Sequence, residues 1–393
     1  MFILLRPVGL ACQLRCGYCY YKSGHPQLRG SQTKKMDISI VDSILEGFAK
    51  LPEKYHTICL HGGEPLLMGK KWFKQFVGKI HSFNEKNTEK RVSIAIQTNA
   101  IDIDDEWIEL FKLGPIGVSV SIDGPQDIHD FARIDGTGKG TYERVIASIQ
   151  SLKKAKIEPS AIAVVTKYTT LLKPEDYYHF FSDIGLREID IAPYIETGDS
   201  KIEESIRISY EPDPMKLSSF VKGLFDVWLF DSNSDGFVNI RSFEQTVAAL
   251  LGYIPTLCNR QGGLACGRTP CIMPDGTVFA CDLETDQIDL RLGSLVFEKF
   301  ENIIRPERLS QLHNYIKQAF LKLGCYSCGL LGLCAFACPR FAFAKRNLSS
   351  YCCPFSKEFI NHVRNRLDCI SKEICGDTIE FTTPFKGTAA NSR

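Results

Sequence analysis

Three cysteines close to the start of the chain limit what it can fold into more than any other feature. Cys12, Cys16 and Cys19 are separated by three and then by two residues. Thiolates spaced in this way can bind three irons of a 4Fe–4S cluster and leave the fourth iron open to a small molecule. A structural zinc site needs four ligands, and His25 offers a possible fourth. The spacing therefore predicts a catalytic iron–sulfur site, with zinc or an accidental grouping that binds no metal as the alternatives.

Eight later cysteines have spacings that suit further metal sites. Four thiolates complete a 4Fe–4S cluster without an open iron, so eight can hold two such clusters. Two zinc sites are the alternative. In a reducing cytoplasm, clustered cysteines are more often metal ligands than disulfides. The eight are Cys258, Cys266, Cys281, Cys325, Cys328, Cys334, Cys338 and Cys353, and either Cys271 or Cys352 could replace one of them.

The composition is that of a globular protein of 393 residues, with 44% hydrophobic and 24% charged residues. This length predicts a main domain with a substantial extension. The net charge is +1 without a long basic run, which argues against a nucleic-acid partner. Arg6 and Pro7 end the apolar residues 1–5 too early for a signal peptide, and no apolar run is long enough to span a membrane. We therefore expect a cytoplasmic protein with no membrane partner.

Strand-like and helix-like segments alternate over residues 1 to about 195. Six strands separated by helices of this length favour parallel βαβ crossovers. Because six units are too few for a closed eight-unit barrel, the pattern predicts an α/β fold with a partial (β/α)6 TIM-like barrel. The predicted strands are 1–6, 57–61, 92–98, 116–122, 160–166 and 188–194; the predicted helices are 38–51, 71–83, 104–113, 141–156, 174–185, 213–231 and 306–323.

Two motifs follow the first two predicted strands, at the barrel end where active sites collect. The cysteine triplet comes after the first strand, and the sequence His-Gly-Gly-Glu-Pro at 61–65 comes after the second. Further along the chain, Pro-Asp-Gly at 274–276 lies between two apolar runs and predicts a hairpin over 271–281. We therefore expect the triplet and the paired glycines on one rim of the barrel.

These motifs resemble a known superfamily. The triplet, with Tyr18 before its third cysteine, is similar to the signature of radical S-adenosylmethionine (SAM) enzymes, and residues 62–65 resemble their second motif. The eight later cysteines resemble the cysteine-rich SPASM extension of these enzymes. The resemblance implies a radical SAM core over 1–195, a helical connection over 196–257, a SPASM auxiliary-cluster domain over 258–365 and a tail over 366–393.

Within the superfamily, the chain looks most like the anaerobic sulfatase-maturing enzymes. Residues 97–99 (Gln-Thr-Asn), residues 121–125 (Ser-Ile-Asp-Gly-Pro) and the acidic Asp282 after Cys281 all fit this group. The resemblance implies that a 5′-deoxyadenosyl radical abstracts hydrogen from a side chain of a protein or peptide, most like the oxidation of a sulfatase Cys or Ser to formylglycine. It also implies an external electron donor of the flavodoxin or ferredoxin type.

The resemblance implies roles for particular residues. Cys12, Cys16 and Cys19 would hold the catalytic cluster, and the eight later cysteines would hold two auxiliary 4Fe–4S clusters. Asp282 would take a proton from the substrate thiol or hydroxyl. The residues expected to contact S-adenosylmethionine are Tyr18, Gly62, Gly63, Glu64, Ser121 and Arg133.

Simpler explanations stay open for several of these residues. The glycines at 62–63 could only form a turn, Glu64 could cap the following helix, and Ser121 could face solvent. Arg133 could be a surface charge, and Asp282 could belong to a turn. Two other functions also stay open for the whole chain. One is a peptide maturase that forms thioether or carbon–carbon crosslinks, and the other is a non-enzymatic zinc-binding scaffold.

Overall fold

The computed structural model describes residues 1–19, 35–196, 203–231, 235–261, 265–282, 290–342, 344, 347–375 and 381. His25, the possible fourth zinc ligand, lies outside them. The chain forms two compact units, each drawn from separate stretches, and the domain boundaries given above stay predictions. The first unit contains Met1–Ala163 and Cys266–Gln311, and the second contains Val164–Asp199, Glu203–Ala265 and Leu312–Arg393.

The first unit is built on parallel strands. They are β1 (Phe2–Leu5), β2 (Tyr55–Leu60), β3 (Arg91–Thr98), β4 (Ile116–Ser121) and β5 (Ser160–Val165), the last of which continues into the second unit. Each strand pairs in parallel with the next one along the chain. The connections contain α1 (Ser39–Lys50), α2 (Lys70–Lys86), α3 (Asp105–Phe111), α4 (Gln126–Ala132) and α5 (Tyr142–Lys154). The predicted α/β fold with parallel strands is confirmed.

The two faces of these strands differ in polarity. In β3, Val92, Ile94 and Ile96 are buried, while Ser93 and Gln97 on the opposite face are half-exposed. Aromatic side chains of α2 and α3 pack together on the helical side of the unit. One face therefore forms the apolar core, and the other carries small or polar side chains that leave room for a bound molecule.

The second unit starts within β5. After α6 (Pro174–Asp183), strand β6 (Glu188–Pro193) pairs in parallel with the short β7 (Asn239–Ile240). The remaining helices before residue 260 are α7 (Glu203–Tyr210), α8 (Pro214–Phe230) and α9 (Arg241–Leu250). The predicted sixth strand and the predicted helix over 213–231 are both confirmed.

A hairpin from the C-terminal half extends the sheet of the first unit beyond β1. It contains β8 (Cys271–Ile272) and β9 (Thr277–Phe279), which pair antiparallel as the Pro-Asp-Gly turn predicts. β10 (Arg291–Ser294) pairs with β9, and α10 (Phe300–Ile303) follows. Strand β8 also pairs in parallel with β1, placing Cys271 opposite Leu4. The sequence predicts the hairpin but not its attachment to the first strand.

The C-terminal helices complete the second unit. They are the latter part of α11 (Pro306–Lys322), then α12 (Pro339–Ala342) and the long α13 (Ser349–Cys375). α13 packs against α8, where the ring of Phe225 meets that of Phe359 edge-on, and Asp226 accepts two hydrogen bonds from Arg366. No helix in the described part of the chain is both long and apolar enough to cross a membrane.

Candidate active site

The segment from Arg6 to Cys19, here called the cysteine loop, carries the three predicted cluster ligands. The protein removes water from around the Cys12 thiol and so raises its pKa to about 11, and nearby charges on Cys16 and Cys19 add to this effect. The three thiols are therefore close neighbours. Soft thiolates grouped on one loop fit the donor set of an iron–sulfur cluster. Across the described residues, no three His, Cys, Asp or Glu side chains converge on a position for a single metal ion, so the support for a cluster here is the type of the donors and their place on one loop.

The paired glycines pack directly against the backbone of the cysteine loop. The Gly63 N–H donates to the Gly9 carbonyl at 3.0 Å, and the Glu64 N–H donates to the Ala11 carbonyl at 2.8 Å. A Cβ atom at Gly63 would lie 1.9 Å from the Ala11 oxygen, and Gly62 has a φ of +99°. Only glycine tolerates this approach without moving the loop. The close approach shown here is therefore to the cysteine loop, and contact with S-adenosylmethionine stays a prediction.

Glu64 is a buried carboxylate that connects the second motif to the end of β3. It is 1% exposed and accepts hydrogen bonds from the Leu66 N–H at 3.0 Å, the Thr98 hydroxyl at 2.8 Å and the Asn99 N–H at 2.8 Å. Burial raises the pKa of Glu64 to about 7, and these three donors oppose that rise. The bond to Leu66 caps the short 3-10 helix Pro65–Met68, so the capping role considered from the sequence is confirmed.

Tyr18, Asp123 and Arg133 form a second buried polar group. The Tyr18 hydroxyl donates to the Asp123 carboxylate. The Nε and Nη2 atoms of Arg133 donate to the same carboxylate at 3.0 and 3.1 Å, and the guanidinium lies 5.5 Å from the centre of the Tyr18 ring. Arg133 is only 8% exposed, so the surface-charge alternative is wrong. Because Asp123 accepts hydrogen bonds from both Arg133 and Tyr18, this group anchors the end of the cysteine loop at Tyr18.

Ser121 lies at the end of β4, on the half-exposed face of the sheet. Its Oγ accepts a hydrogen bond from the Gln97 Nε2 atom of β3 at 3.0 Å. The Gln-Thr-Asn motif at 97–99 and the Ser-Ile-Asp-Gly-Pro motif at 121–125 therefore lie side by side, at the ends of β3 and β4. Ser121 is half-buried rather than fully exposed to solvent, and its contact with S-adenosylmethionine stays a prediction.

Asp282 lies at the same end of the sheet, beside residues that the sequence did not identify. The buried guanidinium of Arg6 donates to the Asp282 backbone carbonyl. Burial lowers the pKa of His61, and the nearby charge of Asp282 partly opposes this. Asp282 is thus close to the ends of β1 and β2. The sequence signal that could have identified Arg6 is its position, since it is a charged residue directly after a buried strand.

Four of the later cysteines surround one cavity in the second unit, here called the cysteine cavity. Burial raises the pKa of Cys325 to about 11, and the charges of the other three add to this. The cavity has a volume of about 700 Å³ and its lining includes Phe336 and Leu348. Four neighbouring thiolates fit a cluster with no open iron. The cysteines that line it are Cys325, Cys328, Cys334 and Cys353, together with Cys352.

The remaining cysteines have different environments. Cys271 is 1% exposed and packs against Leu4, Cys59 and Met273, so it behaves as an apolar core residue. Cys258 is exposed, while the two predicted ligands in the first unit, Cys266 and Cys281, and Cys338 of the second unit are half-buried. Cys338 is not part of the cysteine cavity lining. The role of these four residues as auxiliary-cluster ligands stays a prediction.

Residues 7–181 match the model of the radical SAM superfamily. Parallel βα units, a three-cysteine loop after the first strand and paired glycines after the second are the features expected of such a protein. These residues therefore form a radical SAM domain, and the chain that carries it is an enzyme. A radical SAM domain implies S-adenosylmethionine and a 4Fe–4S cluster, the cofactors that the resemblance of the motifs also implies.

The similar proteins narrow the comparison within that superfamily. A cysteine-type anaerobic sulfatase-maturating enzyme of Clostridium novyi is 27% identical over 86% of this chain and 87% of its own length. A serine-type enzyme of the same name from Bacteroides thetaiotaomicron is 26% identical over 95% of this chain and 92% of its own. The solved structure of native anSMEcpe with bound AdoMet and Kp18Cys peptide has a TM-score of 0.79 at 25% identity, covering 95% of this chain and 99% of that one.

Proposed function

We propose that this enzyme oxidises a Cys or Ser side chain of a sulfatase to formylglycine. The observation that carries the proposal is the position of Asp282, an acid at the ends of β1 and β2, beside the cysteine loop. A general base must lie within hydrogen-bond reach of the proton it removes. Relatives of nearly full length are named as cysteine-type and serine-type sulfatase-maturating enzymes, which supports the same reaction here.

Three clusters are proposed for the cofactor set. Cys12, Cys16 and Cys19 would hold the catalytic one, and the four thiols Cys325, Cys328, Cys334 and Cys353 of the cysteine cavity would hold an auxiliary one. Cys258, Cys266, Cys281 and Cys338 are the other cysteines proposed as auxiliary-cluster ligands. When bound, S-adenosylmethionine and these clusters supply hydrogen-atom abstraction and accept the remaining electron. An external donor of the flavodoxin or ferredoxin type would provide reducing equivalents.

A residue of the protein accepts one proton in this oxidation. A serine substrate loses two hydrogens: one leaves its β-carbon as a hydrogen atom, and the other leaves its hydroxyl as a proton that Asp282 accepts. A cysteine substrate loses one hydrogen from its β-carbon and one from its thiol, and water then replaces sulfur with release of hydrogen sulfide. Arg6 contributes by holding the Asp282 backbone from the end of β1. The proton would go to Asp282 and the second electron to an auxiliary cluster, so both substrates would be oxidised by two electrons.

The experiment is an anaerobic assay of the full chain on a peptide that contains Cys/Ser-x-Pro/Ala-x-Arg. Reconstitution should give on the order of twelve irons per chain, and mass spectrometry should show formylglycine. Asp282→Asn should lower formylglycine formation by about 100-fold or more, since a positioned base contributes that much, while S-adenosylmethionine cleavage continues. Asp275→Asn, in the hairpin turn, is the matched control, because its carboxylate only accepts the Thr277 N–H.

Two results would replace the proposal with an alternative, and a third would change only the residue assigned as its base. An unreacted sulfatase peptide, together with a thioether or carbon–carbon crosslink in a small neighbouring precursor, would favour the peptide maturase. Two zinc ions with no cleavage of S-adenosylmethionine would favour the scaffold. Full activity of Asp282→Asn would leave the reaction intact but remove Asp282 as its base. Cell fractionation would test the proposed cytoplasmic location, which a secreted product would contradict.

A further inference from the structure

Asn99 directs a side-chain donor at one of the cluster ligands. Its Nδ2 atom lies 3.7 Å from the Sγ atom of Cys12, within hydrogen-bond range for sulfur. The Leu14 backbone N–H reaches the same sulfur from within the cysteine loop at 3.4 Å. Cys12 thus accepts one bond from its own loop and one from the end of β3. The second of these depends on a side chain and can be changed by mutation.

The position of Asn99 is fixed by several neighbours. Its backbone N–H donates to the Glu64 carboxylate at 2.8 Å, and its Oδ1 accepts from the Ile101 N–H at 3.2 Å. Ala100 has a φ of +58° and is fully buried, and its N–H donates to the Thr98 hydroxyl at 3.0 Å. Residues in such strained conformations persist where the surroundings hold them, often at functional sites. With Oδ1 committed to Ile101, the amide group faces the cysteine loop.

We propose that Asn99 donates a hydrogen bond to the Cys12 thiolate and thereby raises the reduction potential of the catalytic cluster. Hydrogen bonds to ligating sulfur are among the factors that set cluster potentials. A donor stabilises the more negative, reduced state more than the oxidised one, so the cluster becomes easier to reduce. The inference rests on the proposed cluster at the triplet, but not on the identity of the substrate.

The test is a redox titration of the reconstituted full chain, followed by electron paramagnetic resonance. The signal that disappears in Cys12→Ala identifies the catalytic cluster. Asn99→Asp keeps the oxygen that accepts from Ile101 and removes the donor, so the turn should persist while the midpoint potential becomes more negative. Asn99→Ala should shift the potential in the same direction by less, because it adds no charge. Asn87→Ala, at the end of α2, should leave it unchanged.

The outcomes separate this inference from the proposed function. An unchanged potential in Asn99→Asp, with full iron content, would overturn the inference. Loss of iron from both Asn99 variants would also overturn the inference. Asn99 would then be needed to form the cysteine loop rather than to set the reduction potential of the cluster. A wild-type chain without a Cys12-dependent signal would reject the cluster itself. A wild type that shows the signal but leaves the sulfatase peptide unreacted would reject only the proposed reaction.

Discussion

The cysteine loop and the cysteine cavity hold their thiols in different ways. The loop is one continuous segment, fixed from outside by backbone contacts such as those of Gly63 and Glu64 to it. The cavity collects its thiols from the segment between α11 and α13 and from the beginning of α13 itself, and its lining includes leucine and phenylalanine. Both sites keep an exposed thiol, Cys12 in the loop and Cys328 in the cavity, so exposure does not separate them. Three thiolates leave one iron of a 4Fe–4S cluster open, whereas four complete it, so the two sites suit an exchanging ligand and a closed cluster.

The largest effects should come from removing one thiol of the cysteine loop and, in a separate variant, one thiol of the cysteine cavity. Cys16→Ala should abolish cleavage of S-adenosylmethionine, because the triplet then lacks a ligand. Cys328→Ala should retain cleavage and lose formylglycine formation, because only the auxiliary cluster is damaged. Measurement of 5′-deoxyadenosine and peptide product in parallel tests both. Equal loss of cleavage in the two variants would remove the functional distinction between loop and cavity.

A smaller effect should follow from adding a methyl group at Gly63, where this residue packs against the backbone of the cysteine loop. Gly63→Ala places a methyl group 1.9 Å from the Ala11 oxygen, so the backbone must move. We expect a loss of about 1–3 kcal/mol in the free energy of unfolding and lower iron content at the triplet. Gly78→Ala in α2 is the matched control, because nothing lies within 4 Å of its added methyl group. Equal iron content in the two variants would mean that the loop does not depend on this contact.

The smallest expected effect is that of low pH, which should destabilise the first unit before the second. His56 stacks on Phe48 at 4.0 Å, and burial lowers the pKa of His56 to about 4, with the N-terminal ammonium and Lys90 acting in the same direction and Glu53 against them. The unfolded chain therefore binds a proton first as the pH falls. The stability from the neutral ring is complete above the ordinary pKa of 6.5 and is lost as the pH falls from there towards 4.

Urea unfolding at pH 7 and pH 5 should show a decrease of about 1–2 kcal/mol from this group. His56→Phe keeps the stack and should reduce the decrease. Hydrogen exchange resolved by segment should show β2 losing protection at pH 5 before α8 does. Earlier opening of α8 would contradict the assignment of acid sensitivity to the first unit.

Much of the fold could be predicted from local patterns, because each parallel strand is a short apolar run between helices. The alternation around Ile94 and Ile96 is sufficient to identify β3. The pairing of β8 with β1 could not be predicted, because it joins residues far apart in sequence and leaves no local signal. The predicted helices do not include α13, whose first turns contain Pro354, a residue that is unfavourable inside a helix.

The residues of the candidate site also divide into those that the sequence predicts and those that only the fold brings together. The triplet and the paired glycines could be identified because their chemistry is encoded in consecutive residues. The partners of Arg133 and Arg6 could not, because Asp123 and Asp282 reach them only through the tertiary fold. The sequence therefore predicts candidate ligands, whereas the residues that position them become visible only in the fold.

The bond between Arg6 and Asp282 also bears on biosynthesis. The two residues are 276 positions apart, so the arginine emerges from the ribosome long before the carbonyl that it binds. Until the hairpin with β8 has been made, β1 has an open edge and a buried charge without this partner. Cluster insertion into a nascent chain would meet an incomplete rim. The contact that completes this end of the sheet can therefore form only after residue 282 has been synthesised.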